Sequence, residues 1–497
     1  MATVASCVRW VLSAARGKTE QLQQVVLRGP VSQSAMALFT AHELVEALDP
    51  IACDGAEKNF SIEGVSTDTR TLEPGMLFVA LRGERFDGHC FTQQAVERGA
   101  AALVLEVTRQ HELPQHPVPT IWVRDTLGAL GALARYHRRR FGIPVMAIAG
   151  AVGKTTTKDM TAHLLSAHGA VHKTPENWNN QVGVPLVLLG LRSYHTAAVI
   201  ELGTNHPGEI EQLCRIVEPT HGLITTIAEE HLEFFGSLDG VEQEETALFR
   251  WLATSGGVAC VNLDDLRLRR YHSMLPSVLT FGTTADAMLV ASVRFEPQTL
   301  YPIVSLEWQG MRAEARIVQP GYAAALCAIA ASAAAVSMGA LLDVIAAQLA
   351  QYRPPPTHGY ARMVVQSADG GMTILNDCYN ANPASMRCAL ETLAAYPTNG
   401  RRLAVLGDMR ELGAASPAEH RRILSFARER ADALVLLGED MHRAAIELGV
   451  PALLADDHAR AAELVRQIGR PGDVVLVKGS RTLALEHVIA LLGASTP

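Results

Sequence analysis

A short glycine-containing run near residue 150 constrains the fold more than any other part of this chain. The apolar stretch from Val145 to Ala149 predicts a buried parallel strand, and Gly150 and Gly153 predict a tight turn after it. Lys154 and Thr155 then begin a predicted helix. Such a turn directs backbone N–H groups and a helix N-terminus at one point, which favours a bound phosphate.

The same run predicts a nucleoside triphosphate site that uses Mg²⁺. The residues expected to contact the nucleotide are those of the turn and the start of the helix: Gly150, Ala151, Val152, Gly153, Lys154, Thr155 and Thr156. Lys154 would reach the β- and γ-phosphates, and the Thr155 hydroxyl would hold Mg²⁺. The usual eight-residue pattern has a glycine where Ile148 stands, so an ordinary strand-to-helix turn is the alternative interpretation.

Length and composition narrow the class of protein. A chain of 497 residues is too long for one core and predicts about three domains. A net charge of −8 without a basic stripe disfavours nucleic acid as a partner. Eight cysteines without a Cys-x-x-Cys pair argue against a zinc cluster or a disulfide framework and favour a reducing compartment.

The fold class predicted from these patterns is α/β with three domains. The patterns predict a small α/β unit at residues 39–142 and a central parallel sheet with helical crossovers at residues 143–353. For residues 354–497 they predict a second, Rossmann-like doubly wound sheet. The run Pro354-Pro355-Pro356 predicts the linker between the last two. The predicted strands of the two larger domains are Val145–Ala149, Ala197–Glu201, Gly222–Ile227, Val258–Asn262, Thr373–Leu375, Leu403–Leu406, Ala433–Leu437 and Val474–Val477.

Two further segments have unusual composition. Residues 1–38 carry four basic residues against a single acid, Glu20, and two interpretations fit equally: an organellar transit peptide, or a non-native extension upstream of Met36. The stretch from Ala323 to Leu342 is apolar and long enough to span a bilayer. Because it is mostly alanine and lacks flanking anchors, it predicts a buried helix and no membrane span.

Several polar residues follow predicted strands or lie in loops. Glu201 ends a strand on the side of a parallel sheet where ligands bind, so it is a candidate Mg²⁺ ligand, with a helix-capping acid as the alternative. His231 is either a second metal ligand or a surface histidine. The loop with Asn177 and Asn180, predicted to lie between helical stretches, can bind a polar substrate or merely stabilise turns.

Motifs in a fixed order resemble those of the Mur ligase family. They extend from about residue 39 to the C-terminus, so that chance agreement is improbable. The motifs are Gly-Lys-Thr-Thr-Thr-Lys (153–158), Asn-x-Asn-Asn-x-x-Gly-x-Pro (177–185), Glu-Leu-Gly-Thr-Asn-x-Pro-Gly-Glu-Ile (201–210), His-Leu-Glu-x-Phe-Gly-Ser (231–237), Asp-Cys-Tyr-Asn-Ala-Asn-Pro (377–383), Gly-Asp-Met-x-Glu-Leu-Gly (407–413) and Lys-Gly-Ser-Arg (478–481).

The resemblance implies a cytoplasmic, monomeric, ATP- and Mg²⁺-dependent ligase of peptidoglycan precursor synthesis. The Tyr-Asn-Ala-Asn-Pro element is similar to that of members that join D-Ala-D-Ala to a UDP-N-acetylmuramoyl-tripeptide through an acyl phosphate. By this resemblance Lys154 and His231 are catalytic, and the metal ligands are Thr155, Glu201, His231 and Glu245.

The resemblance also implies roles for residues outside the phosphate turn. Asp68 and Arg70 would hold the uridine nucleotide, although a plain pair of surface charges is the alternative for them. Asn177 and Asn180 would lie near the acceptor and the metals. Asn380 and Asn382 would lie near the dipeptide or the reacting carboxylate.

The chain departs from the family pattern at three places, of which the least is Ala151, where the phosphate loop commonly has serine or another small polar residue. Glu245 stands where the family usually has a lysine modified to a carbamate that helps to hold a metal ion. Ala323, Ala324 and Cys327 stand where a His-Asn pair and a further Asn help to bind ATP. An intact phosphate loop with altered adenosine and metal contacts fits three alternatives: a working cell-wall ligase with compensating changes, a relative that acts on another carboxylate and amine pair, or a weakened, non-catalytic binder.

Overall fold

The structure, a computed structural model, describes residues 37–55, 59–83, 86–355 and 361–494. The predicted leader, except for its last two residues, and Pro356 of the predicted linker lie outside this range. The described residues form two compact units, one of 37–145, 174–196 and 212–218 and the other of 146–173, 197–211 and 219–494. The domain boundaries at 142/143 and 353/354 stay predictions.

The first part of the chain contains a five-stranded sheet in the order β2-β7-β6-β5-β4, with β1 and β3 as a separate antiparallel pair. Strands β4 to β7 are parallel and β2 is antiparallel to β7. The strands are β1 Phe39–Thr40, β2 Ala52–Asp54, β3 Ser61–Ile62, β4 Gly64–Ser66, β5 Met76–Val79, β6 Ala102–Glu106 and β7 Thr120–Val123. The helices are α1 Ala41–Leu48, α2 Thr92–Glu97 and α3 Thr126–Arg139.

Local sequence explains where these first helices begin. Thr40 and Glu43 form a capping box at the start of α1, in which each side chain bonds the other residue's backbone N–H. The Asp125 carboxylate accepts hydrogen bonds from the backbone N–H groups of Leu127 and Gly128 at the start of α3.

The central part contains a nine-stranded sheet in the order β16-β15-β14-β13-β12-β11-β8-β10-β9. Its strands are β8 Val145–Ala149, β9 Ala170–Lys173, β10 His195–Glu201, β11 His221–Ile224, β12 Val258–Asn262, β13 Val278–Gly282, β14 Leu289–Phe295, β15 Pro302–Trp308 and β16 Met311–Arg316. Its helices are α4 Lys154–Leu165, α5 Gly183–Leu189, α6 Glu209–Val217, α7 Leu232–Phe235, α8 Leu238–Glu245, α9 Ala247–Ser255, α10 Leu266–Arg269, α11 Tyr322–Ser337 and α12 Leu342–Gln351.

The prediction of a parallel central sheet with helical crossovers does not extend to one edge of the sheet. Strand β14 runs antiparallel to β15, and β15 antiparallel to β16. The last two strands are joined by a two-residue turn, in which Gln309 and Gly310 have φ angles of +50° and +79°. Two positive φ angles match the twist of adjacent antiparallel strands, so this short turn produces a hairpin and no helical crossover.

One predicted strand end and the predicted surroundings of the asparagine segment also need correction. Strand β11 ends at Ile224, short of the predicted Ile227, because the Asp265 carboxylate accepts hydrogen bonds from the Thr226 hydroxyl (2.7 Å) and the Ile227 N–H (2.8 Å). These groups are therefore satisfied without a sheet partner. The asparagine segment lies between a strand, β9, and helix α5, and not between two helical stretches.

The alanine-rich stretch forms helix α11, whose residues are almost all buried in the central hydrophobic core and which packs against α4. The small side chains allow this close packing on every side of the helix. In the part of the chain that the structure describes, no helix combines the length and apolar character needed to cross a membrane.

The last part of the chain contains a six-stranded sheet in the order β17-β18-β22-β19-β20-β21, parallel except for β17. The strands are β17 Val364–Ala368, β18 Met372–Asn376, β19 Arg402–Gly407, β20 Ala433–Leu437, β21 Leu453–Ala455 and β22 Val474–Lys478. The helices are α13 Pro383–Ala395, α14 Ser416–Ala427, α15 Glu439–Leu448, α16 His458–Ile468 and α17 Glu486–Leu491. The family-like motifs follow the carboxyl ends of β18, β19 and β22, as expected for a site in a doubly wound sheet.

Candidate active site

The turn between β8 and α4 has the geometry predicted for a phosphate loop. All five residues of β8 are buried, and helix α4 begins at Lys154 immediately after Gly153. Gly150 has a φ angle of +111°, and a Cβ atom there would lie 2.8 Å from the Thr225 backbone nitrogen. Only glycine fits that backbone without a collision, so the turn places the N-terminus of α4 at the carboxyl end of the sheet.

Lys154 is surrounded by carboxylates. Its Nζ atom donates a hydrogen bond to the Gly150 carbonyl and lies 3.4 Å from Glu230 Oε2. Burial alone would lower the pKa of Lys154. The carboxylates of Glu230, Glu245 and Glu201 outweigh that effect and raise it. Lys154 therefore keeps its positive charge at neutral pH, at the N-terminus of α4.

Thr155 and Glu201 meet beside this lysine. Glu201 is the last residue of β10 and is 2% exposed, and its Oε1 atom accepts a hydrogen bond of 3.1 Å from the Thr155 hydroxyl. The same hydroxyl accepts a bond of 3.1 Å from Nη2 of Arg362, whose guanidinium lies 4.0 Å from the centre of the Tyr379 ring. The structure thus places two of the predicted metal ligands, Thr155 and Glu201, in direct contact. It also places the Arg362 guanidinium beside them.

Glu245 lies against the phosphate loop, as the last residue of α8. It is completely buried, and its Oε2 atom accepts a hydrogen bond of 2.7 Å from the Gly150 N–H. Burial first, and then the neighbouring Glu230 carboxylate, raise the pKa of Glu245 well above its ordinary value. The glutamate therefore places a carboxyl group next to Lys154.

His231 lies in the loop that precedes α7 and contacts the last part of the chain. Its Nδ1 atom is 2.6 Å from Oε2 of Glu411, and hydrogen bonding to the imidazole lowers the pKa of that carboxyl group. His231 is therefore a half-buried imidazole in contact with a carboxylate, and its role as a metal ligand stays a prediction.

These side chains fit a magnesium ion that is bound mainly through phosphate oxygens. Among the described residues, no three His, Cys, Asp or Glu side chains form a ready-made metal cluster. The oxygens of Thr155 and Glu201, 3.1 Å apart, are of the type that Mg²⁺ prefers. Magnesium commonly takes only one or two protein oxygens in such sites and completes its shell with water and substrate phosphates.

The start of α11 is apolar, in contrast to the phosphate loop that it approaches. Ala324 and Cys327 are buried, and the Cys327 thiol lies 3.8 Å from the Gly153 carbonyl oxygen. Burial raises the pKa of that thiol to about 11, so it stays neutral. The three positions at which the family has polar nucleotide contacts, Ala323, Ala324 and Cys327, present no side-chain hydrogen-bonding group apart from the thiol.

The predicted dipeptide-binding residues lie after β18. Asn380 is exposed, and its side-chain oxygen accepts a hydrogen bond of 3.3 Å from the Arg481 N–H. Asn382 caps α13 in a reciprocal arrangement with Ser385. Lys478 donates to the Asp377 carboxylate at 2.7 Å and to the Asn380 carbonyl at 2.9 Å, which fixes the Asn380 backbone.

The remaining predicted substrate residues lie in the other compact unit. Asp68 and Arg70 pair with each other at 2.6 Å, and this hydrogen bonding lowers the pKa of Asp68 to about 2. Asn180 accepts hydrogen bonds from the N–H groups of Val182 and Gly183 at the start of α5, while Asn177 is exposed. Local pairing and capping account for these geometries, and the substrate roles stay predictions.

Sequence reasoning assigned no role to three residues of the site: Glu230, Arg362 and Glu411. Glu411 stands inside a quoted motif and Glu230 directly precedes another, so their carboxyl groups were a signal that could have been used. Arg362 had no such signal, because 207 residues separate it from its partner Thr155.

The family of the chain follows from comparison with known proteins. Three family models match: the Mur ligase family catalytic domain at residues 61–138, the Mur ligase middle domain at 148–335, and the Mur ligase glutamate ligase domain at 361–481. UDP-N-acetylmuramoyl-tripeptide–D-alanyl-D-alanine ligase of Escherichia coli K12 is 36% identical over 87% of this chain and 94% of its own length. Its Bacillus subtilis counterpart is 32% identical over 86% and 92%.

Solved structures agree with these matches. MurF from Acinetobacter baumannii superposes with a TM-score of 0.82 at 31% identity, over 91% of this chain and 98% of its own. MurF ligase from Thermotoga maritima in complex with ADP gives a TM-score of 0.76 at 26% identity, over 86% and 96%. With the motif order and the phosphate-loop geometry, these matches show that the chain belongs to the Mur ligase family and has its three-domain α/β fold.

Proposed function

We propose that this chain is an ATP-dependent ligase that joins D-alanyl-D-alanine to UDP-N-acetylmuramoyl-tripeptide in peptidoglycan precursor synthesis. The relatives that carry this activity in their names support the substrates. The observation that carries the proposal is the cluster of Lys154 and Thr155 at the N-terminus of α4, beside the buried Glu201 carboxylate. We extend the proposal to a monomer that works in the cytoplasm.

The reaction proceeds in two steps. A carboxylate oxygen of the tripeptide attacks the γ-phosphorus of ATP, the bond to the β-phosphate oxygen breaks, and ADP leaves. The amine of D-Ala-D-Ala then attacks the acyl carbon, loses a proton, and displaces inorganic phosphate. Neither step needs a covalent enzyme intermediate, so the protein acts by positioning the substrates and balancing charge.

The residues of the phosphate loop supply the positive charge that balances the phosphates. Lys154 and the N–H groups from Val152 to Thr156 hold the phosphates, since the Gly150 and Ala151 N–H groups already donate to Glu245 and to the Thr226 carbonyl. The raised pKa of Lys154 keeps its charge at neutral pH. Magnesium, held by Thr155 and Glu201 with help from His231 and Glu245, would neutralise charge on the phosphates. Arg362, bonded to the Thr155 hydroxyl, adds a guanidinium at the same place.

The other substrate contacts follow the family pattern. Asp68 and Arg70 bind the uridine nucleotide, and Asn177 and Asn180 lie near the acceptor. The segment with Asn380 and Asn382 faces the dipeptide or the reacting carboxylate.

A product assay tests the proposal. The purified protein is incubated with ATP, Mg²⁺, UDP-muramoyl-tripeptide and D-Ala-D-Ala, and phosphate and pentapeptide are measured; we expect equal amounts of both. Parallel reactions with diaminopimelate or lysine as the third residue identify the acceptor. Phosphate release only with other amines indicates a relative with a different substrate pair. Tight substrate binding without phosphate release indicates a non-catalytic binder.

A further inference from the structure

Three loops are neighbours at the carboxyl end of the six-stranded C-terminal sheet. Strand β22 lies between β18 and β19 and runs parallel to both, so the loops that follow these strands lie side by side. The Ser480 N–H donates to the Asp408 carbonyl at 3.0 Å, and the Arg481 N–H donates to the Asn380 side-chain oxygen at 3.3 Å. The loop after β22 is therefore bonded to both of its neighbours, at the end of the sheet where ligands bind in doubly wound folds.

Lys478, the last residue of β22, is a cation that the protein itself neutralises. It is 2% exposed, and its ammonium group donates to the Asp377 carboxylate at 2.7 Å and to the Asn380 carbonyl at 2.9 Å. Because its charge is paired and its head group is buried, Lys478 holds the backbone of the Asn380 loop and is not the group that receives an anionic ligand.

Arg481 differs from Lys478 because its side chain reaches solvent. The side chain is 45% exposed, and its Nη1 atom lies 2.7 Å from Oε1 of Glu486, the first residue of α17. The Glu486 side chain is only 11% exposed, so this contact anchors the guanidinium to the sheet. A guanidinium has N–H groups on both arms of a planar fork, which allows it to contact a second carboxylate while the first one holds it.

The dipeptide D-Ala-D-Ala has two ends with different requirements. Its amine must be uncharged when it attacks the acyl carbon, whereas its C-terminal carboxylate stays ionised at neutral pH and does not react. A carboxylate that leaves water requires a charged or hydrogen-bonding partner, and arginine binds it with two parallel hydrogen bonds. The Asn380 oxygen already accepts the Arg481 N–H, so the NH₂ group of that amide is the part that can donate to a ligand.

We propose that Arg481 binds the C-terminal carboxylate of D-Ala-D-Ala, with the NH₂ group of Asn380 beside it. The proposal rests on the proposed function, in which the segment with Asn380 faces the dipeptide. Fixing the unreactive end of the dipeptide orients the amine at its other end. Arg481 thereby determines specificity, since an amine that lacks the carboxylate leaves the guanidinium without its partner.

Arg410 offers a matched control. It follows β19, in the loop next to that of Arg481, and its side chain is 52% exposed. Its Nη2 atom is 3.7 Å from Oδ2 of Asp408, which is beyond hydrogen-bonding distance. Arg410→Gln therefore removes an exposed guanidinium from the same end of the sheet without touching Arg481 or Asn380.

Kinetics with D-Ala-D-Ala and with D-alanyl-D-alaninamide, which lacks the carboxylate, test the proposal. The wild-type protein should prefer the acid in kcat/KM by about 10- to 100-fold, as expected for a hydrogen bond to a charged group. Arg481→Gln should lose most of this preference through a higher KM for the acid, with the rate for the amide and the KM values for ATP and UDP-muramoyl-tripeptide unchanged. Arg481→Lys should restore part of the preference. Arg410→Gln should match the wild type, and thermal melts verify the folding of each variant.

Several outcomes overturn the proposal. An unchanged preference in Arg481→Gln shows that another group binds the carboxylate, and loss of the preference in Arg410→Gln would identify that group. Equal losses for the acid and the amide in Arg481→Gln show a purely structural role. A wild-type protein that makes pentapeptide and uses the amide equally well refutes the role of Arg481 alone. One that makes no pentapeptide refutes the proposed function and this role together.

Discussion

The phosphate loop and the start of α11 are neighbours with opposite chemistry. The loop side contains Lys154 and buried carboxyl groups, whereas the α11 side is apolar, with Ala324 and the neutral Cys327 thiol near Gly153. The groups suited to a triphosphate are therefore present, whereas positions 323, 324 and 327 offer no polar side chain besides the thiol. The contrast predicts that nucleotide affinity in this chain comes mainly from the phosphate end of the nucleotide.

Lys154→Met is expected to have the largest effect. It removes the cation at the phosphates and keeps the alkyl stem, so kcat/KM should fall about 100- to 1,000-fold with the fold intact. Initial rates of phosphate release over a range of ATP concentrations, with the other substrates saturating, measure the loss. The control is Lys173→Met, which removes a lysine that pairs with Asp159 outside the loop and should leave kcat/KM unchanged. Full activity in Lys154→Met would contradict the importance of the loop.

Glu245→Gln should separate stability from activity. Its amide oxygen can still accept the Gly150 N–H, but the variant loses the carboxyl group that would ionise on binding the metal, and activity should fall about 10- to 100-fold. The raised pKa of Glu245 means that ionisation costs stability once the pH exceeds the value for the unfolded chain. The variant should therefore melt at a higher temperature than the wild type at pH 7 to 8, and the difference should vanish near pH 4.5. A lower melting temperature at pH 8 would contradict this assignment.

Discrimination between nucleotides should be weak. With no polar side chain besides the thiol at positions 323, 324 and 327, kcat/KM for ATP should exceed that for GTP by less than about tenfold, because a specific hydrogen bond contributes about 1 kcal/mol. Steady-state kinetics with both nucleotides measure the ratio. A thousandfold preference for ATP over GTP would show that another group of the protein recognises the base.

Ala323→His should have the smallest effect, and in the favourable direction. Position 323 is only partly buried, so an imidazole there can be accommodated and can contribute about 1 kcal/mol, or about a fivefold lower KM for ATP. Inhibition by tripolyphosphate, which lacks the nucleoside, should not change. Equal gains for ATP and tripolyphosphate would show that binding at the nucleoside end and binding at the phosphate end of the nucleotide are not independent.

Local features of the site were predictable from the sequence. The strand, turn and helix around Gly150 follow from apolar periodicity and from glycines at positions that other residues cannot occupy. Features that depend on distant partners were not. The Gln309–Gly310 turn carries no strong sequence signal, since glutamine is not a usual turn residue, and the antiparallel edge was missed with it.

The order of motifs in the sequence alone determined the family, the α/β class and the phosphate loop, because each depends on residues that are close together in the chain. The tertiary structure alone decided which charges surround that loop. It brought Arg362 to Thr155, Glu245 to Gly150, and Glu411 to His231. Coulombic and hydrogen-bonding energies depend on distance in space, and separations of 95 to 207 residues leave no local pattern for these contacts.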